Sequence, residues 1–302
     1  MDVLVVGSVA FDALETPFGK VDRTLGGAAT YFSIAASFFV PVRLVGVVGD
    51  DFTSRDAAIF KGRRIDTRGL ERVPGKTFFW AGRYSEDMNQ RVTLTTDLNV
   101  FADFNPKLPL AYRDSKFIFL ANIHPSLQES VVKQVKGRPK VVALDTMNYW
   151  IERTPGELRQ TLKLVDILVI NDAEARQLSG KYNLLQAAND IFKMGPRILV
   201  IKRGEFGAVL MRGKDVFTVP GFPLHDVRDP TGAGDCFAGG FMGALARAGR
   251  VTDASLRAAM VYGSVMGSFA VERFGLDRLR TLKTREVTAR ARRFHGLTRF
   301  KL

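Results

Sequence analysis

The sequence predicts an α/β fold with a doubly wound, mostly parallel sheet flanked by helices. Short runs rich in Val, Ile and Leu alternate with segments of helical periodicity, which is typical of parallel strands joined by helical crossovers. The runs are almost continuously apolar, as expected for strands buried on both faces. Six such strands are predicted: Val3–Val6, Val42–Val48, Lys116–Leu120, Val141–Leu144, Ile167–Ile170 and Ile198–Ile201.

One part of the chain departs from this alternation. Thr77–Tyr84 and Arg91–Asp97 mix aromatic, β-branched and polar residues around a polar turn that includes Asn89, and this pattern predicts an antiparallel hairpin. Phe11–Thr24 is expected to pair with it. We expect these segments, about residues 11–24 and 77–97, to form a small β-sheet that acts as a lid over one edge of the main sheet.

The remaining chain is expected to complete a single domain. No low-complexity or Pro/Ser-rich stretch divides the 302 residues, and this length is sufficient for one large α/β domain, so residues 1–302 are predicted to be one unit. Ala208–Met211 and Val216–Val219 predict a second hairpin. The chain after Asp235 is predicted to be helical nearly to its end.

Composition argues against several classes of protein. The single cysteine, Cys236, excludes an intramolecular disulfide framework, and His124, His225 and His295 are too dispersed to suggest a metal cluster. The start of the chain does not resemble a signal peptide, and its apolar stretches are too short to span a bilayer, so we expect a cytoplasmic protein without a membrane partner. The net charge is +13, much of it in Arg278–Lys301, but no recognition motif accompanies it and nucleic acid is not an expected partner.

The motif with the clearest chemistry is Asp229-Pro230-Thr231-Gly232-Ala233-Gly234-Asp235. Its glycines permit a tight turn, and the first amides of the helix predicted to follow are unpaired donors, so an anion is expected there. Asp235 in the first turn can accept a proton from an attacking hydroxyl. Phosphoryl transfer requires mainly positioning, a base and charge neutralisation. The motif therefore predicts this chemistry, with an ordinary Gly-rich turn before a helix as the alternative.

This segment resembles the C-terminal signature of the ribokinase-like (PfkB) carbohydrate kinases. In that family the loop forms an anion hole and its last aspartate is the catalytic base, which implies these roles for Gly232, Ala233, Gly234 and Asp235. The resemblance also implies a ribokinase-like fold, ATP as the phosphoryl donor and Mg²⁺ as a cofactor. It further implies K⁺ or another monovalent cation near Asp229.

Two N-terminal segments extend the resemblance. Gly7–Asp12 resembles the family's first strand, whose terminal aspartate binds acceptor hydroxyls, and Gly26-Gly27 resembles its di-glycine turn. The resemblance implies that Asp12, Gly26 and Gly27 bind the acceptor. Considered without it, Asp12 and the two glycines fit ordinary turns. Gly46–Phe52 resembles the next segment of the family.

The nucleotide side of the site is implied by two further matches. Asn171 and Glu174 fit the family's Asn-x-x-Glu pattern, which helps to place magnesium and phosphates, with a simple helix cap as the alternative for Asn171. Gly204 and Gly207 fall where the family has a Gly-x-x-Gly turn near the nucleotide. Together with Thr231, these residues form the predicted nucleotide site, in which the metal is held through water.

Three positions depart from the family pattern. Lys202 replaces the usual threonine and is expected to contact a phosphate as a point charge, with a solvated strand-end lysine as the alternative. Tyr31 replaces an asparagine that contacts the acceptor, so the usual sugar-binding pattern is in doubt; its ring suggests stacking on a base. Asp145 and Asn148 are spaced by three residues where the family has Asp-x-Asn, so Asp145 is left out of the predicted site.

We therefore expect an ATP-dependent kinase that phosphorylates a hydroxyl of a sugar or polyol. A nucleoside kinase of the same family is the first alternative, and a non-catalytic relative that binds nucleotide or nucleic acid is the second. Arg83 and Arg91 on the lid are candidates for reaching the acceptor, with ordinary surface arginines as the alternative. The resemblance also implies a homodimer through the lid. Phe78, Phe79 and Trp80 are candidates for its apolar contact, with a simple cover over the cleft as the alternative.

Overall fold

The computed structural model describes residues 1–88 and 90–299, so Asn89 and the end of the basic C-terminal run lie outside the described residues. The strands are β1 (Val3–Val6), β2 (Ala10–Thr16), β3 (Gly19–Gly26), β4 (Val42–Val48), β5 (Ile65–Arg72), β6 (Phe78–Tyr84), β7 (Arg91–Asp97), β8 (Phe117–Leu120), β9 (Val141–Leu144), β10 (Ile167–Asn171), β11 (Ile198–Lys202), β12 (Ala208–Arg212) and β13 (Asp215–Val219). The α-helices are α1 (Ala28–Ala36), α2 (Ser54–Ala57), α3 (Pro125–Gln134), α4 (Asn148–Arg153), α5 (Pro155–Leu162), α6 (Asp172–Ser179), α7 (Leu184–Phe192), α8 (Ala233–Ala248), α9 (Asp253–Ala270), α10 (Asp277–Thr281) and α11 (Thr284–Thr298).

The large sheet has nine strands in the order β13-β12-β11-β10-β9-β8-β1-β4-β5. The seven strands from β11 to β5 are parallel, while β12 and β13 form the antiparallel hairpin that the sequence predicts. Alternate side chains of each central strand enter two different cores. In β1, for example, Val3 and Val5 belong to one core and Leu4 and Val6 to the other. The predicted doubly wound sheet is confirmed.

Strand β5 is absent from the set of strands predicted above. It lies at the edge of the large sheet, where it pairs in parallel with β4. Its sequence, Ile-Asp-Thr-Arg-Gly-Leu-Glu-Arg, is polar and only partly buried. An edge strand exposes one side to solvent, so it lacks the continuous apolar run that identifies the central strands.

The small sheet has the strand order β3-β2-β6-β7. Strands β6 and β7 form the predicted antiparallel hairpin, and the N-terminal segment is itself a hairpin whose strand β2 pairs in parallel with β6. Asp51 fixes the start of β6, because its Oδ1 accepts hydrogen bonds from Thr77 N at 2.7 Å and Thr77 Oγ1 at 2.6 Å. The Gly46–Phe52 segment therefore anchors the small sheet to the large one.

The location of Asp12 differs from the expectation. Asp12 does not end the first strand, because β1 ends at Val6 and Asp12 lies within β2 of the small sheet. The reason is that Ser8 bonds to the start of α1: its Oγ accepts from Ala28 N and its carbonyl from Ala29 N, each at 3.0 Å. The chain leaves the large sheet at this point and enters the small one.

Helix α8 lies against α1 on one side and α9 on the other. A methyl group on Gly239 would lie 2.4 Å from Phe32 O of α1, and one on Gly240 would lie 2.6 Å from Tyr262 O of α9. Close backbone approach explains the small residues of this helix. Among the described helices, none has the length and hydrophobicity needed to cross a bilayer.

Candidate active site

Polar residues from several strands, most of them predicted site residues, converge at the carboxyl edge of the parallel strands. Asn171 is the last residue of β10, Lys202 is the last residue of β11, and Asp145 directly follows β9. Gly232 precedes α8 as its N-cap residue. Ligands of doubly wound sheets bind in the crevice outside the carboxyl ends of the strands, so the fold alone brings these residues to a suitable place.

The loop before α8 lies beside Lys202 in this crevice, and its Ala233 amide donates to Pro230 O at 3.2 Å. Gly232 caps the helix with a positive φ of 71°, and Ala233, Gly234 and Asp235 form the first turn. A methyl group on Gly232 would lie 2.4 Å from Cγ of the Tyr31 ring, so both the conformation and the space require glycine. The first amides of a helix lack intrahelical acceptors and suit an anion.

Asp229 and Tyr84 hold the loop from two sides. The buried Asp229 carboxylate accepts a hydrogen bond from Thr231 N through Oδ1 at 2.9 Å and another from Gly275 N through Oδ2 at 2.7 Å. Burial raises the pKa of Asp229, and these two bonds oppose the increase. Thr231 Oγ1 donates to the hydroxyl of Tyr84 on β6 at 3.0 Å. Nothing in the sequence pattern distinguished Tyr84 as a site residue.

Asp235 is half-buried in the first turn of α8. Desolvation raises the pKa of its carboxyl group, and the positive charges of Lys202 and Arg91 lower it. Lys202 lies against the loop, since a methyl group on Gly234 would be 2.8 Å from Lys202 Nζ. The candidate base and a cation therefore flank the same short stretch of backbone.

Asp145, which the sequence analysis leaves out, lies in the same crevice. Its side chain is buried, and Oδ1 has no hydrogen-bond partner among the described residues. Desolvation, followed by repulsion from Asp235, raises its pKa well above the ordinary value, while Lys202 lowers it. Asp145, like Asn171, lies at the carboxyl end of a parallel strand, where ligands of doubly wound sheets bind.

Asn171 and Glu174 bond to each other at the start of α6. Asn171 Oδ1 accepts from Glu174 N, and Glu174 Oε2 accepts from Asn171 N, both at 2.8 Å. This is a capping box, so Asn171 caps α6, and its role in binding metal and phosphate stays a prediction. Burial raises the pKa of Glu174, whereas Lys202 and the Asn171 N–H lower it. Among residues 1–88 and 90–299, no three or more His, Cys, Asp or Glu side chains are grouped to hold a metal.

The opposite wall of the crevice contains Asp12, which is 4% exposed. A methyl group on Gly26 would lie 1.9 Å from Asp12 Oδ2, so the carboxylate rests directly on this glycine. Desolvation, followed by the charges of Asp229 and Asp235, raises the pKa of Asp12 to about 8, and Arg91 and the Gly27 N–H oppose the increase. The di-glycine turn thus shapes the surroundings of Asp12.

Tyr31 lies beneath the Gly232 loop and is 1% exposed. Its hydroxyl is buried without a hydrogen-bond partner among the described residues. Burial raises its pKa well above the ordinary value, with smaller contributions from Asp12 and Asp229. Stacking of this ring on a base, suggested by the sequence, does not agree with the structure, because Gly232 and the surrounding core cover it.

The two lid arginines occupy different surroundings. Arg91 is close enough to Asp12, Glu174 and Asp235 to lower the pKa of each carboxyl group. Arg83 instead forms an exposed ion pair with Glu15, with Nε 3.0 Å from Oε1. Of the two, only Arg91 has electrostatic contact with the candidate site.

Gly204 and Gly207 form the turn that connects β11 to β12. Their φ angles are 55° and 87°, and a methyl group on Gly207 would lie 2.0 Å from Val219 O. The turn packs closely on β13 and directly follows Lys202. Its position beside the crevice agrees with the place expected for it, while its glycines are explained by backbone packing.

The chain is similar to carbohydrate and nucleoside kinases. It is 29% identical over 253 residues to cytidine kinase of Thermococcus kodakarensis, covering 82% of this chain and 89% of that protein. It is 30% identical over 284 residues to inositol 3-kinase of Arabidopsis thaliana, covering 90% of this chain and 74% of that protein. The structure of Arabidopsis thaliana ribokinase complexed with ribose and ATP has a TM-score of 0.76 at 21% identity, covering 96% and 98% of the two chains.

The family model that matches this chain describes the pfkB family carbohydrate kinases, and the match extends over residues 2–281. This range includes both sheets and every residue of the crevice described above. The ribokinase-like fold and the match agree with each other. The chain therefore belongs to the pfkB family of carbohydrate kinases.

Proposed function

We propose that this protein transfers the γ-phosphoryl group of ATP to a hydroxyl group of a small sugar or polyol. The observation that carries the proposal is the position of Asp235, half-buried in the first turn of α8 immediately after the amides of Gly232–Gly234. A base and an anion-binding loop are thereby adjacent. The Arabidopsis ribokinase structure contains ribose and ATP, which supports ATP as the donor.

In the proposed reaction, Asp235 accepts the proton of the acceptor hydroxyl as its oxygen attacks the γ-phosphorus. The bond between the γ-phosphorus and the β,γ-bridging oxygen breaks, and ADP leaves with the electron pair. The amides of the loop stabilise the negative charge of the phosphoryl group during transfer. Thr231 and the turn from Gly204 to Gly207 contact the nucleotide.

The oxygen donors of the crevice fit Mg²⁺. This ion prefers oxygen ligands and is usually held by one or two carboxylates together with water and substrate phosphates. The buried Asp145 Oδ1 has no partner among the described residues, and the capping bond of Glu174 uses only Oε2. Glu174 and Asn171 would hold the ion through water, where it would neutralise phosphate charge.

Asp12, Gly26 and Gly27 form the acceptor wall in this proposal. The Asp12 carboxyl group binds acceptor hydroxyls. The nucleoside alternative remains a candidate because one relative is a cytidine kinase. The buried Tyr31 ring gives it no support.

Three other expectations remain predictions. A monovalent cation is expected near Asp229, whose two carboxylate oxygens already accept backbone N–H groups. A homodimer through the small sheet, with Phe78, Phe79 and Trp80 as its apolar contact, is the second; the Phe78 ring also stacks on Phe101 with centroids 5.3 Å apart. Exposed apolar side chains of β7, Val92 and Leu94, are better suited. A cytoplasmic location is the third.

The proposal is tested by a panel of acceptors with radiolabelled ATP and Mg²⁺. The panel contains ribose, myo-inositol and other polyols beside cytidine, uridine, adenosine and inosine. We expect the highest kcat/KM for a sugar or polyol. Transfer only to nucleosides would establish the alternative, and absence of transfer to every compound would contradict a kinase of either type.

The role of Asp235 is tested by Asp235→Asn. We expect kcat to fall by about 10²–10⁴-fold because the general base is lost, while nucleotide binding is retained. Asp215→Asn is a matched control, since Asp215 is exposed on β13. Unchanged turnover of Asp235→Asn would contradict the mechanism and favour a non-catalytic role.

A further inference from the structure

We propose that Lys202 is a catalytic residue whose ammonium group binds the transferring phosphoryl group at the Gly232–Gly234 loop and neutralises its charge. This inference depends on the proposed kinase activity and assigns a role to a lysine at a position where threonine is usual in the family. Lys202 ends β11 and is half-buried. Its Nζ would be 2.8 Å from a methyl group on Gly234, so the ammonium lies against the anion-binding backbone.

The charges around Lys202 leave its ammonium available to a ligand. Asp145, Glu174 and Asp235 are all close enough for Lys202 to lower their pKa values. Within the part of the chain that the structure describes, however, none of the ion pairs shorter than 4.0 Å includes Lys202. The cation is therefore surrounded by three carboxylates without being bound closely to one of them.

A lysine differs chemically from the threonine that is usual here. A threonine hydroxyl can donate one hydrogen bond, whereas an ammonium group is a compact positive charge with three donors. During transfer, negative charge is distributed over the three non-bridging oxygens of the phosphoryl group. A fixed positive charge at the loop stabilises that arrangement, and it changes neither the bonds made and broken nor the destination of the proton on Asp235.

A purely electrostatic effect on the neighbouring carboxylates is the competing role. The charged groups that face Lys202 are Asp145, Glu174 and Asp235, with Arg91 acting on the last two from β7. Removal of the lysine charge raises the pKa of Asp235 and moves the acid limb of the pH–rate profile to higher pH. If this were the only role, kcat would recover fully on the plateau above that limb.

The decisive experiment compares Lys202→Met with wild-type enzyme over the full pH–rate profile, using the best acceptor of the panel. We expect plateau kcat to fall by about 10²–10³-fold, as when one preorganised transition-state donor is removed. Lys202→Arg, which retains the charge, should recover part of this loss. Lys214→Met is the matched control, because Lys214 is exposed in the β12–β13 turn, and should leave kcat unchanged. A plateau kcat of Lys202→Met within twofold of wild type would overturn the proposal.

Binding measurements keep the inference testable independently of turnover. Calorimetric titration with ADP and Mg²⁺, with and without aluminium fluoride as a mimic of the transferring phosphoryl group, is performed on folded wild-type and Lys202→Met protein. We expect Lys202→Met to weaken the complex with aluminium fluoride by at least tenfold more than the complex with ADP alone. An equal loss of affinity for the ADP complex with aluminium fluoride and for the complex with ADP alone would contradict the inference. Lys202→Gln replaces Lys202→Met if circular dichroism indicates that the methionine variant is unfolded.

The two proposals fail in different ways. If wild-type protein transfers phosphate to no acceptor, the kinase proposal is wrong whatever the binding data. If wild-type protein is active and Lys202→Met keeps its plateau kcat and its preference for the aluminium fluoride complex, the kinase proposal stands and the role of Lys202 is wrong.

Discussion

Thr231 and Tyr84 are 147 positions apart in the chain, yet Thr231 Oγ1 donates a buried hydrogen bond of 3.0 Å to the Tyr84 hydroxyl. Thr231 belongs to the loop before α8, and Tyr84 ends strand β6 of the small sheet. The small sheet and the loop before α8 are therefore linked by one direct bond. Tyr84 itself is only 9% exposed.

We predict that Tyr84→Phe lowers kcat/KM for the acceptor by about 5–30-fold. The substitution leaves the Thr231 hydroxyl buried without its acceptor, which costs about 1–2 kcal/mol and loosens the loop. Tyr112→Phe is a suitable control, since it also removes a tyrosine hydroxyl with one hydrogen bond, which Tyr112 donates to Asp66 O at the β5 edge of the large sheet. Steady-state kinetics of both variants measure the effect. Equal kinetics for the two would indicate that the Thr231–Tyr84 bond has no role in activity.

Tyr31→Phe should stabilise the protein. The Tyr31 hydroxyl is buried without a partner among the described residues, and removing such a group is expected to increase the free energy of unfolding by about 1 kcal/mol. Thermal unfolding of the variant and of wild type measures the change. A lower Tm would show that the hydroxyl has a stabilising partner.

Asp12 should make the stability of the protein depend on pH. Its pKa is about 8 in the folded chain against 3.8 ordinarily, so the folded state retains a proton that the unfolded state releases. Stability from this group is fully present below about pH 4 and is lost as pH rises through about 8, by about 2 kcal/mol from pH 6 to 8. Asp12→Asn should flatten this decline. Chemical denaturation at several pH values measures it, and parallel curves for the variant and wild type would contradict the prediction.

Arg91 and Arg83 provide a matched pair on one sheet. Arg91→Ala should reduce kcat/KM by about tenfold or more, because its charge acts on Asp12, Glu174 and Asp235. Arg83→Ala should change it by less than about twofold, since its exposed pair with Glu15 contributes little. Measurement of kcat/KM for both variants at low and at high salt checks the prediction. A larger fall in kcat/KM for Arg83→Ala than for Arg91→Ala would contradict it.

The central strands could be predicted from the sequence because burial on both faces leaves a nearly continuous apolar run. Strand β5 could not, since an edge strand lacks this signal. Asp12 was expected at the end of the first strand, and its true place in β2 depends on the bonds that Ser8 makes to α1. Such bonds between distant segments have no periodic signature.

The candidate site was predictable where a local motif marks it, as at Gly232–Asp235. Asp145 could have been included in the predicted site, because it directly follows a predicted strand as Asn171 does. Tyr84 could not, since its contact with Thr231 joins two segments that only the complete fold brings together. Likewise, the buried environment of Tyr31 arises from its packing beneath Gly232 rather than from its neighbours in the chain.

The small sheet has a consequence for the order of folding. Its parallel pair, β2 with β6, joins Ala10–Glu15 to Phe78–Arg83, and the segment between them contains β4 and β5 of the large sheet. Closing so long a loop costs conformational entropy unless other contacts have already shortened it. We expect the large sheet to form first and the small sheet to assemble on it, so Asp12 and Arg91 join the crevice only at the last stage of folding.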